Sequence, residues 1–366
     1  MSNIRTQIRR DPAATWTAAD ITLAAGEMAC ESDTGKIKVG DGTNKWTKLD
    51  YAATTIPLPW GGASYGFSVG GQTPGTPWTS GSNIIQRYSF ASDGDATDYK
   101  DLASAGVYTS SVSDTKNNNI YTTSSGTGTG TEKWSVSNAT TAVSSPVVNL
   151  SSKYGGTSAF STVNGTGYFA GGFTVPNSAS IDKFATASEG TCTDVGDLLH
   201  NYMARVSGSA YSLEAAYATG SYPGLSGAGG SKQIHKWTFA TDGNATDVGD
   251  VSYNNGTADG AYGIQSSYGP THGYFTGVSA GITSNKEIHS FSFASEGDTT
   301  DGGDLDTHVA MGGGAATSTT HGYTAGGYGS VGTTRIQKFS TTGATATGTN
   351  VGDLALGMFH GGGTHG

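Results

Sequence analysis

One pattern recurs six times between residues 84 and 354 and limits what this chain can fold into. Each copy has an Ile or its equivalent, then a basic residue and an aromatic, then a turn, then Gly-Asp-Leu or a close variant. The copies read IIQRYSFASDGDATDYKDL, EKWSVSNATTAVSSPVVNL, IDKFATASEGTCTDVGDL, IHKWTFATDGNATDVGDV, IHSFSFASEGDTTDGGDL and IQKFSTTGATATGTNVGDL, ending at Leu102, Leu150, Leu198, Val251, Leu305 and Leu354. A second anchor precedes each: YGFSVGG, NIYTTSSG, GYFAGG, AYATGS, GYFTGV and GYTAGG. The copy ending at Leu150 has lost its acidic turn and the first Gly. A period near fifty residues marks stacked units, none able to bury a face alone. Composition says what the units are made of. Gly 58, Thr 52 and Ser 42 make 152 of 366 residues, and charged residues are 13%. Helix formers are too scarce for a bundle. There is no apolar run of membrane length, no Lys/Arg cluster for nucleic acid and no collagen period. Hydrophobics at 35% and aromatics at 10% can supply a core. The expected fold class is all-β.

Units of this length suit four-stranded blades, so residues 56–366 are expected to form a six-bladed β-propeller. The order Tyr-x-x-Gly-Gly, about ten residues, Ile-x-Lys-aromatic, turn, Asp-Leu resembles the kelch repeat. The double Gly stands at Gly70-Gly71, Gly171-Gly172 and Gly326-Gly327. The fourth-strand Trp of kelch is absent; Val195, Val248, Gly302 and Val351 stand near its place, so the repeat is kelch-like. An open solenoid is the competing architecture, but its period would be shorter and its ends capped. After Leu354 the chain runs ALGMFHGGGTHG, a first strand whose Thr-His-Gly matches Thr320-His321-Gly322. The first copy lacks such a strand, so the C-terminal strand is expected to complete the first sheet and remove two open edges. Loops after each double Gly should then share a face with the connections between units. The acidic turns, and the entering linker with its module, belong on the other face.

Residues 1–50 carry seven Lys/Arg and seven Asp/Glu, so the net charge of −10 belongs to the remainder. Short strands are expected here, with Asp33-Thr34-Gly35 and Gly40-Asp41-Gly42 as turns. The run IRRDPAATWTAADITLAAGEMACESDTGKIKVGDGTNKWTKLDYA resembles the N-terminal module of phage tail fibres and tropism determinants. The residues carrying the likeness are Arg9-Arg10, Trp16-Thr17, Gly26-Glu27, Glu31, Asp33 to Lys36, Lys38, Gly40 to Gly42 and Trp46. The resemblance implies a bacteriophage virion protein, attached to other virion proteins through residues 1–55 and often trimeric. About fifty residues bury too little surface to stand alone, which also favours assembly, here expected as a homotrimer. Cys30 and Cys192 are far apart and suggest neither disulfide nor zinc. The first residues carry no secretory signal, so synthesis in a cytoplasm is expected.

Site readings follow from the loops and turns. Asp93 to Asp98 and Asp242 to Asp247 offer oxygens at short spacing, but lack the Gly and Glu of a calcium loop and read as hairpin turns. His272, His321 and His365 fall at one repeat position, and His235 and His289 at another, which indicates structure. No metal, no cofactor and no nucleic-acid or membrane partner is expected. No nucleophile elbow occurs, and only Glu214 falls outside the repeat, so no enzyme is expected. Trp78, Phe173, Tyr222 and Tyr328 lie in polar Gly/Ser loops after the second strands. Stiff aromatics there suit contact with a host surface glycan or protein. The expectation is a tail fibre or spike-like appendage that binds a receptor. A structural virion component without a ligand, or a surface-glycan depolymerase, are the alternatives.

Overall fold

The computed structural model describes residues 9–33, 36–49, 51–52, 64–74, 81–125, 128–139, 143, 146–151, 156–161, 165–172, 178–201, 208–220, 232–252, 261–277, 279–280, 285–328, 334–343 and 345–366. The chain divides into two compact units, Met1–Pro57 and Leu58–Gly366. It is largely β-sheet, in several small sheets, and no single sheet closes on itself.

In the first unit Arg9–Asp11 runs parallel to Met28–Glu31, which pairs antiparallel with Ile37–Val39. A helix over Ala13–Ala19 intervenes, where the sequence suggested strands alone. Pro12 precedes it, and its carbonyl accepts from the N–H groups of Thr15 and Trp16. Four alanines make the seven-residue segment a good helix former, and Asp20 in the left-handed region (φ 38°) ends it. The helix delivers Trp16, whose ring stacks on Trp46 at 4.6 Å above Leu23, Ala29 and Leu49. The motif residues build this core. Lys38 is buried, donates to the Trp46 carbonyl at 2.9 Å and lies over the Tyr51 ring. Tyr51 donates to buried Glu31 at 2.7 Å. Gly40 has no room for a side chain, since a Cβ would meet Ala24 O at 2.2 Å.

Among the described residues the second unit holds six sheets of three to five strands, one per repeat, and two further two-stranded pairings, one of them Ala261–Tyr262 with Ser279–Ala280. The first sheet has the order Gly362–His365, Tyr65–Val69, Ser82–Ser89, Thr97–Gly106, so the C-terminal strand heads the sheet of the first repeat. The second is Ser110–Asp114, Asn119–Thr123, Glu132–Ser135. Its copy had lost the acidic turn, and Val148–Asn149 instead pairs parallel with Gly190–Thr191 of the next repeat. The third runs Thr157–Ser161, Thr166–Ala170, Ser180–Ala185, Thr193–Asp197, and the fourth Gly208–Tyr211, Ala215–Thr219, Gln233–Thr238, Thr246–Asp250. The fifth is Gln265–Tyr268, His272–Thr276, Asn285–Ser292, Thr300–Val309, with Ala346–Thr347 added in parallel. The sixth is Gly314–Thr317, His321–Ala325, Arg335–Ser340, Thr349–Asp353.

First strands neighbour one another in sheet order, and Gly362–His365 lies beside both Gly314–Thr317 and Ser110–Asp114. The repeated aromatics explain why the sheets stack. An aromatic on each second strand packs against an aromatic on the third strand of the next sheet or, in the case of Phe239, on the residue just after that strand. The pairs are Phe67–Trp134, Tyr121–Phe184, Tyr168–Phe239, Tyr217–Phe291, Tyr274–Phe339 and Tyr323–Tyr88, at centroid distances of 5.1 to 5.8 Å. The last pair joins the sixth sheet to the first. Such pairs bury large area and add about 1 kcal/mol each beyond it. The Gly before several second-strand aromatics is steric: a Cβ on Gly66, Gly167 or Gly322 would strike the ring of Tyr88, Phe184 or Phe339 within 2.6 Å.

Candidate functional site

The acidic turns prove to be joints between sheets. Their leading residues Asp93, Glu189, Asp242 and Glu296 all sit in the left-handed region, at φ 52–54°. Each takes a lysine from the third strand of the preceding sheet: Lys338–Asp93 at 3.0 Å, Lys133–Glu189 at 2.6 Å, Lys183–Asp242 at 2.8 Å and Lys236–Glu296 at 2.5 Å. The next turn residues are used too. Asn244, Asp298 and Asp95 accept the backbone N–H of Asp197, Asp250 and Asp353. These oxygens are thus spent on the neighbouring repeat. Among the described residues no three His, Cys, Asp or Glu side chains are grouped to hold a metal ion, and Cys30 and Cys192 form no disulfide.

A second joint escaped the sequence reading. The residue between the Ile and the basic position of the third strand is buried and polar in every sheet: Gln86, Glu132, Asp182, His235, His289 and Gln337. Five of these clasp the chain just after the preceding Gly-Asp-Leu. Gln86 exchanges bonds with the N–H and carbonyl of Leu356 at 2.8 and 2.9 Å. Glu132 accepts from Ala103 and Ser104, Asp182 from Ser151, His235 from Leu199 and Gln337 from Thr307. Burial holds His235 and His289 near a pKa of about 4, so both rings are neutral at neutral pH. His289 Nε2 stands 3.4 Å from Glu287 Oε2, a contact that is therefore not an ion pair.

The expected equivalence of the third histidine fails. His272 and His321 open second strands. His365 ends the strand Gly362–His365 and matches Thr317, four residues before His321 in the repeat. It is buried, its Nε2 3.3 Å from Tyr268 Oη, and desolvation lowers its pKa to about 4. Tyr268 and Tyr211 pack nearby in a tilted contact with centroids 4.2 Å apart. These rings line a cavity bounded by the first strands of all six sheets.

Of the four loop aromatics, Trp78, Phe173 and Tyr222 lie outside the described residues. Tyr328 is half-buried, packs edge-on against Phe359 at 5.4 Å and donates its backbone N–H to Ala310 O. Around it three bulky residues occupy the left-handed region, Tyr108 (φ 55°), Met311 (φ 45°) and His360 (φ 50°). Each lies just before a first strand. They are tied by bonds from Tyr108 N–H to His360 O and from His360 N–H to Met311 O. Non-glycine residues held there carry strain of about 1–3 kcal/mol each, so this end is over-determined by its neighbours.

Carboxylates come together at two places among the described residues, Asp250 with Asp247 and Asp298 at a turn joint, and Glu287 in the fifth sheet. Glu287 faces Asp304 across the fifth sheet. Burial, then the charges of Asp301 and Asp304, raises its pKa. Glu214 is exposed in a turn between first and second strands.

The stretch 6–44 matches the family described as the Major tropism determinant N-terminal domain. A phage tropism-determinant-like module is therefore present at the N-terminus, and the protein is virion-associated. Over 48 residues the chain is 44% identical to the Hyaluronoglucosaminidase of Streptococcus pyogenes phage H4489A. That similarity covers 13% of this chain and 13% of that protein. It overturns the expectation that no enzyme is involved, because a protein named for a glycosidase shares this segment. Absent local motifs do not exclude carboxylates that converge only in the fold. Among the described residues no helix is long and apolar enough to cross a membrane.

Proposed function

We propose that this protein is a tail fibre or spike-like virion appendage. Residues 1–55 attach it to other virion proteins and assemble it as a homotrimer. Residues 56–366 form a six-bladed, kelch-like propeller that meets a host surface glycan or protein through the loops after the second strands. The match over 6–44 carries the reading. The cyclic order of aromatic pairs and lysine–carboxylate joints, returning from the sixth sheet to the first, supports the propeller. Three of the four exposed large hydrophobics among the described residues, Met28, Val39 and Tyr51, lie in the small module, which supports assembly there.

The test replaces Trp78, Phe173, Tyr222 and Tyr328 by Ala and measures adsorption of the purified chain to the bacterium its phage infects. Adsorption should fall at least tenfold while the melting temperature changes little, as at most loop positions. Glu214→Gln, exposed in a different turn, is the control. Loss of adsorption in the control alone would reject the loop assignment. A second reading, cleavage of a surface polysaccharide, is favoured by the 48-residue similarity. It requires new reducing ends from hyaluronan or from the host polysaccharide, lost in Glu287→Gln.

A further inference from the structure

At four junctions a third-strand lysine meets a carboxylate of the next repeat. The other two junctions have lost that carboxylate, in different ways. In the sixth repeat Ala344 stands in its place, and the matching cation position of the fifth sheet is Ser290, so both halves of the pair are gone. In the second repeat Ala139 takes the place of the acid, yet the first sheet keeps a cation, Arg87. No Asp or Glu occurs from 133 to 181, so the chain after that position offers no substitute. Among the described residues Arg87 forms no ion pair and no side-chain hydrogen bond; its guanidinium lies 4.5 Å from the ring centroids of both Tyr65 and Tyr99. The residue is half-buried, and none of its nitrogens is sealed from solvent. Both tyrosines depart from the repeat. Tyr65 opens a second strand where the other sheets have Asn119, Thr166, Ala215, His272 and His321, and Tyr99 stands where Val195, Val248, Gly302 and Val351 do. Beside Tyr99, Lys100 replaces a glycine. A Cβ on Gly196, Gly249, Gly303 or Gly352 would meet the backbone of the next repeat at 2.3 Å or less. Lys100 instead reaches across to the Asn138 carbonyl at 2.8 Å, its ammonium 5.4 Å from the Tyr99 centroid.

We propose that this junction binds the carboxylate of an acidic sugar. The repeat indicates the ligand class: four sister junctions pair the same cation position with Asp or Glu, and here an external carboxylate supplies what Ala139 lacks. Packing over rings uses the face of a guanidinium and leaves its in-plane N–H donors for an acceptor. A planar carboxylate fits that fork through two parallel N–H···O bonds. Lys100 adds a second positive charge at the same tyrosine. The two tyrosines also give a pyranose ring apolar surface beside the charge. The sugar as carrier rests on the host-surface reading; the carboxylate rests on the junction alone. Its source is either a uronate residue of a surface polysaccharide or a free sugar acid.

Saturation-transfer NMR on the full chain tests it with D-glucuronate and D-galacturonate, against D-glucose and D-galactose, which have the same rings without the carboxylate. Immobilised polygalacturonate, against dextran, tests the polymeric source. At least one uronate should bind, the neutral sugars should not, and binding should fade in 1 M salt, where charges are screened beyond about 3 Å. Lysine stands at this position in four other sheets, so Arg87→Lys should fold. It keeps the charge, loses the fork and should weaken the uronate about tenfold. If it does not fold, Ala139→Glu, at an exposed position, returns the missing carboxylate and should compete with the ligand to a similar extent. No uronate binding, equal binding of the neutral sugars, tighter binding of inorganic phosphate, or unchanged affinity in the folded variant overturns the proposal. Any of these results with adsorption through the loop aromatics intact would sink this inference and spare the host-surface reading. Uronate binding without retention on polygalacturonate would support the site, with a free sugar acid as its ligand, and count against glycan capture.

Discussion

Two kinds of joint hold adjacent sheets, and residue-level magnitudes rank them. The Lys338–Asp93 pair leaves its side chains 21% and 33% exposed. Solvent screening holds such pairs to about 0–1 kcal/mol. Gln86, at the same junction, is fully buried and makes two bonds to one backbone residue. Removing it strands a part-buried N–H and carbonyl, at up to about 1–3 kcal/mol. Asp93→Asn should therefore cost under about 1 kcal/mol, helped by the tolerance of Asn for positive φ, and Gln86→Ala clearly more. Urea midpoints compare them, and the reverse order would mean that charge, not the buried amide, closes this junction. Neutralising the acidic turns is accordingly a poor control for receptor binding. Those side chains join repeats, so a loss of adsorption there would report on folding as well.

At the scale of elements, strands with two anchors were legible and those without were not. Tyr-x-x-Gly-Gly and Ile-x-Lys-aromatic located second and third strands because paired aromatics fix both spacing and face. The buried polar residue between Ile and Lys was missed because third strands are covered on both sides, so alternation carries no signal there. The helix Ala13–Ala19 was missed because seven residues give too little periodicity against β-rich surroundings. The expected match of His365 is four residues out because Thr-His-Gly recurs by composition, whereas pairing depends on Gly362 opposing Val69 as Gly314 opposes Ala325. That pairing makes the last strand a structural part of the first sheet. Deleting 355–366 would strip the inner partner of Tyr65–Val69, the Leu356 clasp of Gln86 and the His360 carbonyl that Tyr108 uses. The truncated chain should aggregate on size-exclusion and melt well below the full chain. Equal melting temperatures would refute the shared sheet.

For the whole molecule, three buried neutral histidines set the response to acid. His235, His289 and His365 have folded pKa values of about 4, against roughly 6.5 when unfolded. Between those values the unfolded chain binds protons that the folded chain refuses. Stability is therefore full above about pH 6.5, falls as pH drops towards 4, and loses little more from these groups below it. Each contributes up to about 3 kcal/mol, so together they rival the 5–15 kcal/mol of a typical domain. An opposing effect exists, since the net charge of −10 declines towards the isoelectric point near 5.1 and self-repulsion fades. Self-repulsion among spread surface charges is screened beyond about 8–10 Å in salt, whereas burial of a histidine is not, so the histidines should win. Urea midpoints between pH 7.5 and 4.5, taken at low protein concentration because solubility is poorest near the isoelectric point, should fall steadily. His365→Gln should reduce the slope by about one third of the histidine contribution, at whatever fixed cost the lost packing on Tyr268 imposes. A midpoint that stays level through pH 5, or a slope unchanged by His365→Gln, would show that these rings gain protons inside the folded chain.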